Sequence, residues 1–578
     1  MTHAATFAGV DVPPPLPAKP VTDTLWGTPI TDPYRFLENV ADPQVQQWMR
    51  AEADATAAIM ARIPGRDALI ARFKTIEDGA SGLTTQVQHT PGGRWFFQKR
   101  DPGENQFRLV WRERADGPDH LLFDPEALRK ATGEPHAILD FAASPDGRRI
   151  AYAVQRGGGE IGALHVVDVD TGRELIQPID RIRYASVSWL DDGNGFFYNR
   201  LHEGYDTLPA DQRFNDNERH FRALDANGTD RVVFQPSRVP ELALPVFATG
   251  YVMQVPGTRT ALMWVELGVE RYGLLYSADL ASAIAGTAKW RPVATAADSI
   301  VDFAMGGGYV YLRSFKDAPR YKVVRVSVDA LDLARAEVVI PAGSGVVTAV
   351  AGARDAVYVT RRDGVSTALL RVPHARAIKA EPVALPFAGS AEMTSDPRVP
   401  GAVLELGGWT HASRPYQVDP ARRVTALPFV RIGAYDAPRD IEAREVRVKS
   451  WDGTEVPVSV IVKKGIKLDG SNPTILYGYG AYGITDDPGF SPRVYAWLER
   501  GGVYAIAHVR GGGAFGDEWH MAGRRATKPN TWKDGIAAAE WLIANGYTSP
   551  GKLGIYGGSA GGIFVGRSIT ERPDLFAA

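Results

Sequence analysis

Glycine-bearing turns, each followed at once by an aromatic or β-branched run, recur through the middle of this chain. That recurrence constrains the fold more than any other feature. Pro91-Gly92-Gly93 leads into Trp95-Phe96-Phe97, and Ser144-Pro145-Asp146-Gly147 leads into the run from Ile150 to Val154. Asp191-Asp192-Gly193-Asn194-Gly195 leads into Phe196-Phe197-Tyr198. Gly306-Gly307-Gly308 leads into Tyr309-Val310-Tyr311-Leu312, and Ala356-Val357-Tyr358-Val359 follows a further interval on. A tight turn followed by such a strand is a hairpin signature. The better-marked turns recur about every 45–55 residues, which suits the four-stranded blades of a β-propeller. Residues 73–430 then hold about seven blades. The repeat is faint over 205–300, and a large β-sandwich array is the competing architecture.

The flanks have a different texture. Residues 1–72 read as an irregular lead followed by helices, with Asp42 as N-cap and Pro43 at the first helical position. Residues 431–578 read as an α/β layer with a largely parallel sheet. Val456–Val462, Thr474–Tyr477, Val503–Val509 and Leu553–Tyr556 are compact strand runs. Thr531–Asn545 reads as a helix with Gly546 at its stop, and helical residues resume at Gly561.

The strongest chemical signal is Gly557-Gly558-Ser559-Ala560-Gly561, a G-x-S-x-G between a strand and a helix. That is the context in which a nucleophilic serine projects from a strained turn. The helix beyond presents unsatisfied N–H groups to a developing negative charge. Such a serine needs a base, usually His oriented by Asp, following it in the chain. Between Ser559 and Ala578 there is no His and a single Asp, Asp574, in a helix-end setting. His508 and His520 precede Ser559, against the expected order. The chain is therefore expected to stop short of its triad partners.

Two glycine motifs invite a nucleotide reading. Gly478-Tyr479-Gly480-Ala481-Tyr482-Gly483 and Gly511-Gly512-Gly513-Ala514-Phe515-Gly516 both fit G-x-G-x-x-G. A dinucleotide site needs a helix opening directly from the glycines. Asp486-Asp487-Pro488 and Pro492 interrupt the first. Met521-Ala522-Gly523 and Lys528-Pro529 are expected to leave an irregular loop after the second. Arg510 reads as a bridge between loops, Trp519-His520 as structural, and Asp517 and Asp534 as solvated or helix-associated.

Composition narrows the classes. Lys and Arg total 65 against 67 Asp and Glu, for a net charge of −2, which does not suit a general polyanion binder such as a nucleic-acid protein. Cysteine is absent, which excludes disulfides, thiolate metal sites and a Cys nucleophile. No signal peptide and no span of about 20 apolar residues is legible, so the expectation is a soluble cytoplasmic protein without a membrane partner, the periplasm remaining open. No metal or organic cofactor is implied.

Taken together, these residues resemble the prolyl oligopeptidase family of serine peptidases. The similar stretches include Asp32-Pro33-Tyr34-Arg35-Phe36-Leu37-Glu38, Lys463 to Gly470, Tyr477-Gly478-Tyr479-Gly480 and Arg510-Gly511-Gly512-Gly513. They continue through Trp519-His520, Gly546-Tyr547-Thr548-Ser549-Pro550, the Ser559 motif and Arg572-Pro573-Asp574-Leu575-Phe576. The resemblance implies a seven-bladed propeller capping an α/β-hydrolase domain that is incomplete here, with the N-terminal segment packed on the hydrolase part. It implies hydrolysis of short peptides after proline by a monomer. Ser559 would be the nucleophile, with Tyr479 hydroxyl and Ala560 N–H as oxyanion donors and Tyr482 in the proline pocket, where the family often has Phe. Alternatives are an oligopeptidase B-like or acylaminoacyl specificity, or an inactive fragment serving as a binding module.

Overall fold

The computed structural model describes residues 5–225, 228, 230–364 and 366–578. Two compact units divide the chain, residues 1–76 and 77–578. In the first, the lead is more ordered than expected. Ala5–Phe7 pairs with Val10–Val12, and Val21–Leu25 pairs with Thr28–Asp32. Each hairpin closes on two residues at positive φ, Ala8-Gly9 and Trp26-Gly27. That turn matches the twist of the strands it joins, and X-Gly is its sequence mark. The helix Pro43–Ala61 follows, with the Asp42 carboxylate accepting from Gln44 N–H at 2.8 Å. A second helix begins at Arg66 and runs to Gly79, past the expected boundary at 72.

The second unit contains seven four-stranded antiparallel sheets. Their first strands begin at Leu83, His136, Ser188, Thr249, Ile300, Val346 and Ser390. The turns read from sequence join the first and second strands of their blades. In the second blade, Ser144 hydroxyl donates to the Asp146 carboxylate at 2.6 Å, and that carboxylate accepts from Arg148 N–H at 3.0 Å. The aromatic second strands are the cores: Phe96, Phe97, Phe196, Phe197, Tyr198, Tyr311 and Tyr358 are fully buried. Each such ring contributes about 1.5–3 kcal/mol by leaving water.

The faint stretch has a structural cause. The third blade inserts a long loop between its second strand, Gly195–Arg200, and its third, Glu218–Ala223. The fourth follows two short 3-10 turns, Pro236–Arg238 and Pro240–Leu242, and carries a helix, Leu280–Ala285, before its last strand. These insertions stretch the period without removing strands.

After the propeller comes a five-stranded sheet. Its order is Ile441–Lys449, Glu455–Lys463, Val503–Ala507, Thr474–Tyr477, Leu553–Tyr556. The first three pair antiparallel and the last three parallel. The interior strand Glu455–Lys463 is buried at every position from Val456 to Val462, as a strand covered on both faces must be. Along the outer side of Leu553–Tyr556, Ala577 N–H donates to Leu553 C=O at 2.8 Å and Ile555 N–H donates to Ala578 C=O at 2.9 Å. The helix Pro529–Ala544 packs its buried face, including Ile536, Ala539 and Leu542, against this sheet.

Candidate active site

The strand Leu553–Tyr556 ends at Tyr556, and the helix Gly561–Glu571 begins five residues later. Ser559 lies between them at φ +52°, in the left-handed region. A residue with a Cβ pays roughly 1–2 kcal/mol to sit there. The glycines divide by role. A Cβ on Gly557 would stand 2.7 Å from the carbonyl oxygens of both Gly478 and Gly561, and one on Gly561 would stand 2.9 Å from Gly478 O. Cβ atoms on Gly558 and Gly562 would face open space. The turn closes only because the two flanking glycines of G-x-S-x-G let backbone meet backbone.

Ser559 is exposed. Gly561, Gly562 and Ile563 N–H groups are used within the turn, on the carbonyls of Gly558, Ser559 and Ala560. Ala560 N–H has no acceptor among the described residues, so it is available to an incoming oxygen. Tyr479 follows the strand Thr474–Tyr477 on the neighbouring loop. Its Cα and one ring carbon lie 3.6 Å from the point where a Gly561 Cβ would be, so this side chain rests against the start of the Ser559 helix. Lys528 Nζ donates to Gly480 C=O at 2.6 Å and pins the loop. Farther along it, Tyr482 sits at φ +55° and is half exposed. It lines an open cavity of about 450 Å³ shared with the propeller residues Arg271, Arg313 and Tyr321.

The two histidines of 431–578 are engaged elsewhere. His520 Nδ1 pairs with Gly511 C=O at 2.9 Å. Ser459 hydroxyl donates to the Glu445 carboxylate at 2.9 Å, so the 2.8 Å contact with His508 Nε2 has the imidazole as donor. Burial, with Arg362 and Arg447 adding to it, pushes His508 down to about 4. This Glu–Ser–His cluster is no second nucleophile: Ser459 is fully buried and its proton points at a carboxylate. Asp574 is bound by Arg572 at 2.7 and 2.8 Å.

Of the two settings expected for Asp534, solvated or helix-associated, the structure gives the helix. Asp534 is fully buried and takes Arg510 Nη2 at 2.6 Å, Arg510 N–H at 2.9 Å and Ser450 hydroxyl at 2.6 Å. Arg510 also reaches Asp452 at 2.6 Å, so it ties two loops to the long helix. Burial opposes ionisation of Asp452, but the hydrogen bonds from Arg510 and Thr454 bring it down to about 2. One expectation is corrected: a short helix, Asp517–Met521, opens directly after Gly516 where a loop was expected. It offers no phosphate cradle: Asp517 N–H donates to Pro319 C=O at 2.7 Å, and a Cβ on Gly516 would stand 2.3 Å from that same oxygen. The propeller backbone occupies the position that a phosphate would need. No cluster able to hold a metal ion and no helix long and apolar enough to cross a membrane is found among the described residues.

Comparison with known proteins gives a consistent picture. Residues 14–423 match the family model for the prolyl oligopeptidase N-terminal β-propeller domain, and residues 488–578 match that of the prolyl oligopeptidase family. A prolyl endopeptidase of Elizabethkingia meningoseptica is 27% identical over 569 residues, covering 96% of this chain and 76% of that protein. A dual-function macrocyclase-peptidase POPB of Galerina marginata is 27% identical over 596 residues, covering 94% and 77%. A solved prolyl endopeptidase structure superposes with a TM-score of 0.85 at 27% identity, covering 97% of this chain and 81% of that one.

Proposed function

This chain belongs to the prolyl oligopeptidase family, and from that premise we propose that it is a serine endopeptidase that cleaves short peptides after proline through an acyl-enzyme on Ser559. The observation that carries the reading is the turn itself: an exposed serine at positive φ, between strand and helix, with Gly557 and Gly561 closed against Gly478. In the reaction, Ser559 Oγ attacks the carbonyl carbon. The oxygen that becomes negative is met by Ala560 N–H and by the hydroxyl of Tyr479, a reading supported by the Tyr479 Cα and ring carbon resting against the helix start. Donors aimed at that oxygen act where the charge develops, and losing one costs about 10²–10³ in kcat. Tyr482 supplies an aromatic wall for the proline ring.

The serine hydroxyl also needs a base. The two histidines of 431–578, His508 and His520, are committed to Ser459 and to Gly511 C=O, so neither serves Ser559 as that base. The relatives named as prolyl peptidases disfavour the oligopeptidase B-like and acylaminoacyl alternatives. The same proposal takes residues 73–430 as propeller and 431–578 as catalytic part, in a monomer acting in the cytoplasm. Light scattering and cell fractionation check the last two.

The deciding experiment is fluorophosphonate labelling of the full-length protein. A single adduct on Ser559, absent from Ser559→Ala, is expected. A folded full-length protein that stays unlabelled overturns the reading.

A further inference from the structure

The cavity lined by Tyr482 has a chemical character that proline recognition does not call for. Three guanidinium groups converge on it from the propeller: Arg271, Arg313 and Arg362. Their side chains are 16%, 15% and 7% exposed. Each has a carboxylate partner. Arg271 takes Asp517 at 2.9 Å, Arg313 takes Asp302 at 3.0 Å, and Arg362 takes Asp487 at 3.0 Å. Glu270, the fourth acid here, is paired with Arg524 at 3.1 Å.

The pairs balance in charge but not in hydrogen bonding. A guanidinium carries five N–H donors. Arg271 spends one on Asp517 among the described residues. Arg362 Nε, in a side chain more than nine-tenths buried, has no acceptor. Tyr321, 2% exposed and also lining the cavity, has a hydroxyl with no partner. Arg271 and Arg313 both stack on the Tyr321 ring, at 5.5 and 4.7 Å from its centroid, so their guanidinium planes are held in place. Burial, with the like charges of Arg313 and Arg524, holds Arg271 below the ordinary guanidinium range in spite of Asp517. Buried donors without acceptors, on and beside guanidinium groups whose N–H groups are not all used, fit an anion far better than a cation or an apolar group.

We propose that this cavity is a subsite for a carboxylate of the peptide substrate, held by Arg271 and Arg313 beside the Tyr321 hydroxyl. The proposal rests on the peptidase reading above and adds a preference for acidic peptides to it. The carboxylate comes either from an acidic side chain or from the peptide's C-terminus. Tyr482 connects the subsite to the Ser559 turn, because it stands on the same loop as Tyr479.

The test is binding, measured by fluorescence anisotropy on the Ser559→Ala chain so that no turnover intervenes. Dye-labelled six-residue peptides, each with one proline, carry Glu or Gln at every other position in turn, with a free or amidated C-terminus. At one position, or at the free C-terminus, the anionic member should bind about tenfold tighter than its neutral partner. That ratio should fall toward one in Arg271→Met and again as salt is raised in the unsubstituted Arg271 chain. A preference at an internal Glu assigns a side chain, and one that follows the free C-terminus assigns the terminal carboxylate. Peptides that bind with no anionic preference at any position overturn the subsite and leave the peptidase reading standing. A preference that survives both Arg271→Met and Arg313→Met overturns it as well. Failure of every peptide to bind overturns the subsite together with the reading beneath it.

Discussion

Gly557 and Gly561 have no room for a methyl group, whereas Gly558 and Gly562 have nothing within reach. Gly557→Ala and Gly561→Ala should therefore each cost about 1–3 kcal/mol by overpacking and should slow labelling of Ser559. Gly558→Ala and Gly562→Ala should leave both unchanged, or in the helical Gly562 case add up to about 1 kcal/mol. Urea midpoints and labelling rates of the four variants decide it, and equal effects at all four positions would refute the geometric account. The motif was legible because its parts are adjacent in the chain. The contact of Tyr479 with the Ser559 helix was not, because only the fold brings those residues together. His508 was set aside as the base from chain order alone, and its pairing with Ser459 was not legible because that residue lies on another strand. It is nevertheless titratable in the useful range. An unfolded His titrates near 6.5 and this one near 4, so between those values the unfolded chain binds more protons. Stability contributed by neutral His508 is then complete above 6.5 and declines as the pH falls, at up to roughly 1.4 kcal/mol per unit. The stability gap between the parent chain and His508→Gln should therefore narrow from pH 7 to pH 4.5. A gap constant across that range would show that the imidazole charges without cost.

The helix Gly561–Glu571 is positioned by one side chain. Phe564 is fully buried, and its ring lies where Cβ atoms on Gly478 and Gly535 would come within 2.7 and 2.1 Å. The ring is thus wedged between the loop that carries Tyr479 and the long helix Pro529–Ala544. Gly535→Ala should push it out of that slot. The expected cost is about 1–3 kcal/mol, with a loss of Ser559 labelling that Gly562→Ala, on the open side of the same helix, does not share. Retained labelling in a folded Gly535→Ala protein would mean the wedge does not set the turn. Elements of this kind were largely legible. Leu553–Tyr556, Thr474–Tyr477 and the helix start at Gly561 read directly from apolar runs and glycine stops. Val503–Val509 ends earlier, at Ala507, where the chain turns and Val509 N–H donates back to Ala507 C=O at 2.9 Å. The fourth blade escaped notice although Pro256-Gly257 precedes its second strand, Thr260–Glu266, since the neighbouring insertions broke the spacing. The two N-terminal hairpins escaped because three- and five-residue strands carry too little alternation to register.

Between the propeller and the α/β part, within the second unit, the contacts are polar and reciprocal. Propeller Arg271 pairs with Asp517, and its neighbour Glu270 pairs with Arg524 from the same short-helix region. Arg362 binds Asp487 at 3.0 Å and donates to Gly513 C=O at 2.6 Å. None of this could be read from a single sequence, because every pair joins residues that the chain order separates widely and none alters local patterning. The two sets should respond differently to salt. The Arg271 and Glu270 pairs are partly exposed, at 16–34% for their four side chains. Their attraction is screened as the Debye length falls from about 10 Å at 0.1 M to about 3 Å at 1 M salt. Arg362 is 7% exposed and, although Asp487 is 42% exposed, its bond to the Gly513 backbone carbonyl is no ion pair and is screened little. Raising salt from ~0.1 to ~1 M should therefore speed amide exchange across 517–524 more than at 511–513. Arg362→Met should do the reverse, loosening 485–487 and 511–513 at low salt while the blade cores keep their protection. Exchange that rises equally in both segments under both treatments would show a single cooperative boundary, in which no one pair governs its own loop.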